Sequence, residues 1–452
     1  MKLFRLQILI GSAALVLAAE YAPEHSRPAA STSAPSAGNA PATEHGNASS
    51  GGLTIGAVAS DSLRLGAITA SQRSTDAAAV QQLEKLRSPE ATTDRLAVYN
   101  LLKDLLDSSA SEENKDVARK ETLRQLAITA EELGDSAQAL QLWAEYVKRY
   151  PADILVPEVL LKQGVIERKL GAYETAKSKF HDVVQASLWL GSKNQDYASK
   201  VTLAAMDQIA ETAFVAGDYP GAADYYTRLL NQDDTERLNL PVIRLKLIRS
   251  LAKGSQATEP GLAGSLRERL IREATRFISE YTMSEHQPEV RYLLAKAYKA
   301  KGDTQESLEQ VSFLLEAIEA GSTNMAEIWK QWKMLAGNDI GNELFNEGDY
   351  LNALLVYNGL AAIDSSPAWR LPLYYQIGLC YENLKQNPKA IEAYGQIVKT
   401  SQEPGVTLTA SLKLTVDLAR WRHERLTWVE ELSRATRRAV EPVAPAAPAA
   451  TQ

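Results

Sequence analysis

Between two Pro/Ala-rich ends, apolar positions recur three and four residues apart along almost the whole chain, and strand-like alternation is hard to find. That period predicts helix, and the prolines sit mostly at the edges of the periodic segments, where helices begin or stop. Inside the helical body one pattern returns six times: "LAITAEELGDSAQALQLW", "KQGVIERKLGAYETAKSKF", "QIAETAFVAGDYPGAADYY", "LLAKAYKAKGDTQESLEQV", "DIGNELFNEGDYLNALLVY" and "QIGLCYENLKQNPKAIEAY". Each copy centres on Gly134, Gly171, Gly217, Gly302 or Gly348, with Lys385 in the last. A small residue precedes that centre (Ala127, Gly164, Ala210, Ala295, Gly341, Gly378) and another follows it (Ala139, Ala176, Ala222, Ser307, Ala353, Ala390).

This spacing predicts a helix, a tight turn and a second helix packed against the first. The central Gly suits the left-handed conformation that ends a helix. The Asp after it in four copies (Asp135, Asp218, Asp303, Asp349) suits an N-cap, and Asp303 with Glu306 has the spacing of a capping box. Small residues on both helices let them close on each other. An aromatic one turn later (Trp143, Phe180, Tyr226, Tyr357, Tyr394) fills the seam to the neighbouring hairpin, and only Val311 departs.

The set resembles the tetratricopeptide repeat, a helical hairpin of about 34 residues. Copies begin near 120, 157, 203, 288, 334 and 371, and the resemblance covers roughly 115 to 405. The starts are unevenly spaced. "GSKNQDYASKVT" and "STNMAEIWKQWK" lengthen two first helices, and the widest interval hides a further pair, Leu240–Lys253 and Leu266–Tyr281, with "GSQATEPGLAG" as an exposed loop between them. The resemblance implies an all-α α-solenoid of antiparallel helix hairpins with a right-handed superhelical course, and the Pro/Ala-rich composition of the ends predicts disordered termini.

The expected organisation is a signal peptide at 1–19, a Pro/Ala/Ser-rich disordered linker at 20–75 and N-terminal capping helices at 76–119. About seven hairpins follow over 120–405, then a C-terminal capping helix at 406–440 and a disordered tail at 441–452. Lys2 and Arg5 precede the apolar run Leu6 to Ala19, a secretory pattern too short to span a bilayer, which needs roughly 20 residues. The linker carries too little apolar surface to offset its chain entropy. In the C-terminal helix, Leu414, Leu418, Trp421, Trp428 and Leu432 form one stripe, expected to face the core. Trp329 and Trp332 are expected in the core as well.

Composition adds exclusions. A formal charge of −7 argues against nucleic acid as a main partner. The single cysteine, Cys380, rules out an internal disulfide and a thiolate-rich metal site, and reads as core packing. "HERLT" lacks the second His of a zinc peptidase, since Thr427 stands there, and "SLAK" at Ser250 lacks its companion motifs. The chain is therefore expected to be no enzyme and to need no cofactor or metal.

In the resembled family, ligands lie on the face lined by first helices. The corresponding positions here include Tyr292, Lys296, Asn338, Asn342, Phe345, Tyr375, Leu379 and Glu382, a mixture of amide, aromatic and charged groups suited to an extended peptide. The resemblance implies a scaffold for protein or peptide partners in an envelope assembly or transport complex, and the secretory opening implies that it is exported, with a periplasmic location expected. The alternative is an accessory subunit for polysaccharide export or an envelope enzyme.

Overall fold

The computed structural model describes residues 95–108, 116–191, 194–232, 235–257, 259–317 and 323–440. The expected signal peptide (1–19), linker (20–75), first part of the N-terminal cap (76–94) and C-terminal tail (441–452) lie outside the described residues. Every regular element among those described is helical, and no strand occurs.

The chain divides into two units that meet in sequence between Arg269 and Leu270. The first contains α1 (Arg95–Ser108), α2 (Asp116–Glu132), α3 (Ser136–Arg149), α4 (Val156–Lys169), α5 (Tyr173–Gly191), α6 (Gln195–Val215), α7 (Tyr219–Leu230), α8 (Leu240–Ala257) and the start of α9 (Pro260–Glu280). The second begins within α9 and continues with α10 (Gln287–Lys301), α11 (Thr304–Glu316), α12 (Thr323–Glu347), α13 (Tyr350–Ile363), α14 (Pro367–Asn383), α15 (Asn387–Ser401) and α16 (Ala410–Val440). Each unit is an α-solenoid stack of antiparallel hairpins. From α1 to α8, and again from α10 to α16, each helix packs on the next, and several first helices also touch the following first helix.

The turns follow from their residues. Gly134, Gly171, Gly217, Gly302 and Gly348 all have φ between 79° and 98°, where a side chain would strain the backbone. Lys385 holds the same place at φ 60°, the one non-glycine with positive φ among the described residues. Asp135, Asp218 and Asp349 accept from the backbone N–H three residues on, at 3.0, 3.0 and 3.3 Å. Asp303 makes no such bond, and its carboxylate turns to Lys301 at 2.8 Å, so the capping box does not form.

The small residues before the turn make room for the aromatic of the second helix. At Gly341 an added Cβ would stand 3.0 Å from the Tyr357 ring. Trp143, Phe180, Tyr226, Tyr357 and Tyr394 are all fully buried, and Trp143, Phe180, Tyr357 and Tyr394 each belong to an apolar cluster of their unit.

Two expectations are corrected. "GSQATEPGLAG" is not a long loop: α8 runs to Ala257 and α9 starts at Pro260, a residue suited to a first helical position. Gly254 serves close packing instead, because a Cβ there would meet Leu266 at 3.0 Å and Tyr219 at 3.3 Å. The second correction concerns α16. Leu412, Val416, Ala419 and Leu426 are its buried apolar side chains, and they pack with Tyr375, Leu379 and Tyr394. Leu414, Trp421, Trp428 and Leu432 face outward, with Trp421 49% and Trp428 63% exposed, and Leu418 is half-buried. Trp332 is buried and Trp329 half-buried.

Candidate functional site

The first helices α2, α4, α6, α8, α10, α12 and α14 carry the positions expected to meet a ligand. Many of their polar groups are already engaged. Tyr292 Oη donates to Asp339 at 2.6 Å, and Lys296 Nζ reaches the same carboxylate at 3.0 Å. Asp207 and Glu211 take Lys246 at 2.9 and 3.5 Å. Glu131 takes Lys162 at 3.5 Å, and Lys299 pairs with Glu347. Each of these pairs joins one first helix to the next.

The seam aromatics add a second set of bonds. Tyr226 Oη donates to Glu211 at 3.0 Å, Tyr357 Oη to Asn342 Oδ1 at 2.8 Å, Tyr394 Oη to Glu382 at 3.1 Å, and Trp143 Nε1 to Glu131. An aromatic buried to its rim keeps its polar tip satisfied this way. Burial, with nearby carboxylates adding to it, holds the Tyr226 and Tyr292 hydroxyls far above their ordinary range.

In the last repeat, α16 covers the expected residues. Tyr375 and Leu379 are buried under it. Arg422 donates to Tyr375 Oη at 3.0 Å and to Glu382 at 2.7 Å, and Arg425 also reaches Glu382. These three residues are therefore inside the packing of α14 on α16. Phe345 is half-buried, edge-on to Tyr350 with ring centroids 5.3 Å apart.

Asn338 and Asn342 differ. They are one turn apart on α12 and line a recess of about 20 Å³ with Tyr357, Ala368, Trp369, Pro372, Leu373 and Gln376. Asn338 is only 5% exposed, and the Nδ2 groups of both asparagines are buried without a hydrogen-bond partner. An unpaired buried amide costs roughly 1–3 kcal/mol, so two of them one turn apart beside this recess are a local source of instability that an acceptor would relieve. Pro372 lies inside α14 and has no N–H to give the Ala368 carbonyl one turn earlier. The recess is mainly apolar in its lining, with Trp369 and Leu373 among its walls and the two asparagine amides shielded behind them. The asparagines were visible in the sequence, whereas Trp369, Pro372 and Gln376 were not singled out, because only the fold brings α14 against them.

Groups suited to catalysis do not converge among the described residues. Ser250 is buried and donates to the Lys246 carbonyl at 2.8 Å, and Thr427 donates to that of His423 at 2.8 Å, so both hydroxyls serve their own helices. Among the described residues no cluster of His, Cys, Asp or Glu could hold a metal ion, and no helix is long and apolar enough to cross a membrane. Cys380 is buried and its thiol is pushed up to about 12 by that burial.

Residues 121–153 and 373–401 match the tetratricopeptide repeat family model. The chain carries tetratricopeptide repeats. The first matched tetratricopeptide segment is α2 and α3, and the second is most of α14 with α15. A comparison with curated proteins finds no match. Among solved structures, a tetratricopeptide repeat protein from Parabacteroides merdae is similar at 14% identity and TM-score 0.36, over 67% of this chain and 98% of that one. The apo quorum sensor NprR from B. thuringiensis is similar at 12% and 0.31, over 68% and 81%. Human IFIT1, a dimer with m7Gppp-AAAA, is similar at 12% and 0.30, over 77% and 86%.

Proposed function

We propose that the protein is a non-enzymatic scaffold that holds protein partners by an extended peptide segment, with the Asn338–Asn342 recess as its anchor point. The observation that carries this reading is the pair of buried, unpartnered amide nitrogens in a recess of about 20 Å³. As the recess opens to admit a ligand, a peptide carbonyl would accept from Asn338 or Asn342 Nδ2, which are shielded in the free chain. Trp369 and Leu373 would flank an adjacent apolar side chain. Main-chain recognition of this kind is tolerant of sequence, so specificity would come from the side chains on either side. Ordered water can occupy such a recess in the free protein and give way to the ligand.

The working site is the cell envelope, in an assembly or transport complex. Support comes from the basic and apolar opening, Lys2, Arg5 and Leu6 to Ala19, which has the pattern of an export signal. The excess of acidic side chains favours protein over nucleic acid as the partner.

The test is to pan a displayed library of unstructured peptides against the full chain and against Asn338→Ala/Asn342→Ala. Peptides that bind the first at least about tenfold more tightly than the second, an increment of about 1.4 kcal/mol, support the reading. Peptides that bind both equally would overturn the recess as anchor. Cell fractionation tests the location, and a chain retained wholly in the cytoplasm would refute the envelope assignment. Recovery of glycan-export or enzyme subunits on cross-linking would replace the assembly role by an accessory one.

A further inference from the structure

The outward face of α16 has a regularity that its own packing does not use. Leu414, Trp421, Trp428 and Ala435 recur at every seventh residue, and Leu418, Arg425 and Leu432 recur in the same way between them. Leu414, Trp421, Trp428 and Leu432 are all about half exposed or more. The helix is held to its own repeat from the other side, by Leu412, Val416, Ala419 and Leu426. Beyond Leu426 that support thins: of residues 431–437 only Ser433 is even half-buried, yet the helix continues to Val440. A short helix without tertiary contacts is marginal in water, so this projecting end gains from a cover.

A spacing of seven keeps apolar groups in register with a second helix, each filling a hole on the partner. Arg425 does not interrupt the seam. Its guanidinium lies over the Trp421 ring, 5.2 Å from the centroid, and its head is tied to Glu382, leaving the stem along the face. One edge of the seam is acidic: Asp417, Glu424 and Glu431 stand seven residues apart and are all exposed, with Asp417 also paired to Arg420 of the same helix at 3.3 Å.

That edge decides the occupant. In an antiparallel self-pair the acidic edges of two copies would lie along each other, and in a parallel one Arg425 would meet Arg425 of the second copy. An anionic lipid surface would meet carboxylates directly beside the tryptophans, although α16 as a whole carries more Lys and Arg than Asp and Glu, and vesicle binding is therefore an arm of the test below. We infer that this face, Leu414 to Leu432, is the docking seam for an amphipathic helix of a partner protein that carries Lys or Arg along the flank meeting Asp417, Glu424 and Glu431. Opposite charges at flanking positions set the choice and orientation of partner in paired helices. This surface is separate from the Asn338–Asn342 recess and stands without it.

The experiment uses the full chain and two synthetic helical probes of about 28 residues, four heptads, with Leu in the seam and either Lys or Glu on the flanks. Anisotropy of the labelled probes should show the Lys probe binding at least about tenfold more tightly than the Glu probe, with a gap that narrows as salt rises. Trp421→Glu/Trp428→Glu should lose the Lys probe by more than about tenfold while keeping native helicity and unfolding midpoint, since both side chains are exposed. Equal binding of the two probes, or undiminished binding by that variant, would overturn the inference. So would a dimer of the chain alone that Trp428→Glu dissociates, or flotation of the chain with anionic vesicles that the double variant abolishes.

Discussion

The ring of Phe180 occupies the space that a side chain at Gly164 would need, its Cε1 lying 2.5 Å from where that Cβ would stand. Phe180 is fully buried in a cluster with Ala176, Val183 and Val201, so the ring has nowhere to retreat. Gly164→Ala would gain roughly 1 kcal/mol of helix propensity. The overpacking costs about 1–3 kcal/mol and prevails. The expected outcome is a lower urea midpoint for Gly164→Ala. In the double variant with Phe180→Leu, the alanine should cost less than it does alone.

Lys385 presents the opposite case. It sits at the turn between α14 and α15 with φ 60°, where the equivalent positions are glycine, and its side chain is exposed. A left-handed L-residue costs roughly 1–2 kcal/mol, partly offset by the greater entropy of glycine when unfolded. Lys385→Gly should therefore stabilise the second unit by about 1 kcal/mol, read as a higher unfolding midpoint by circular dichroism.

These two positions show what kind of information was legible. Turn glycine, small residue and seam aromatic lie within one hairpin, so their spacing could be recognised in the sequence and the fold class followed. The longer α6 and α12 were legible too, because their helical period runs on without a break. Pairings across repeats were not. Glu131 and Lys162 are 31 residues apart, and Glu382 and Arg422 are 40, and nothing local joins them. Glu382 therefore read as a ligand group although it is bound by α16. The orientation of α16 was misread for a related reason: two apolar stripes run along it, and the bulkier one, with both tryptophans, is the one that faces out.

Glu382 also bears on how α16 is held. It accepts from Arg422 at 2.7 Å, from Arg425 and from Tyr394, and both Glu382 and Arg422 are largely shielded from water. Removing one member of such a network leaves the other charge unpaired, at about 1–3 kcal/mol. In Glu382→Ala the backbone amides of Leu412 to Leu426 should exchange with deuterium about tenfold faster or more, with those of α2 to α5 unchanged. Uniform acceleration along the chain would mean that the network supports global stability and not the seating of α16.

Burial sets the alkaline limit of the fold. It is the leading cause that raises the hydroxyls of Tyr146, Tyr197, Tyr226, Tyr292, Tyr357 and Tyr394 above their ordinary range, and it pushes the Cys380 thiol up to about 12. In the unfolded chain these tyrosines ionise near 10 and the thiol near 8.5. Each group therefore binds its proton more tightly when folded, so its contribution is complete below the unfolded value and declines as pH rises above it. Stability should fall from about pH 9 upward. In a titration followed at 295 nm, these six tyrosines should ionise only in a step coincident with loss of helical ellipticity. Iodoacetamide at pH 8 should leave Cys380 unmodified in the native chain and alkylate it in urea, since the buried group is neutral and shielded at that pH. A single smooth tyrosine transition near pH 10 with helicity intact would show that these hydroxyls reach solvent without unfolding.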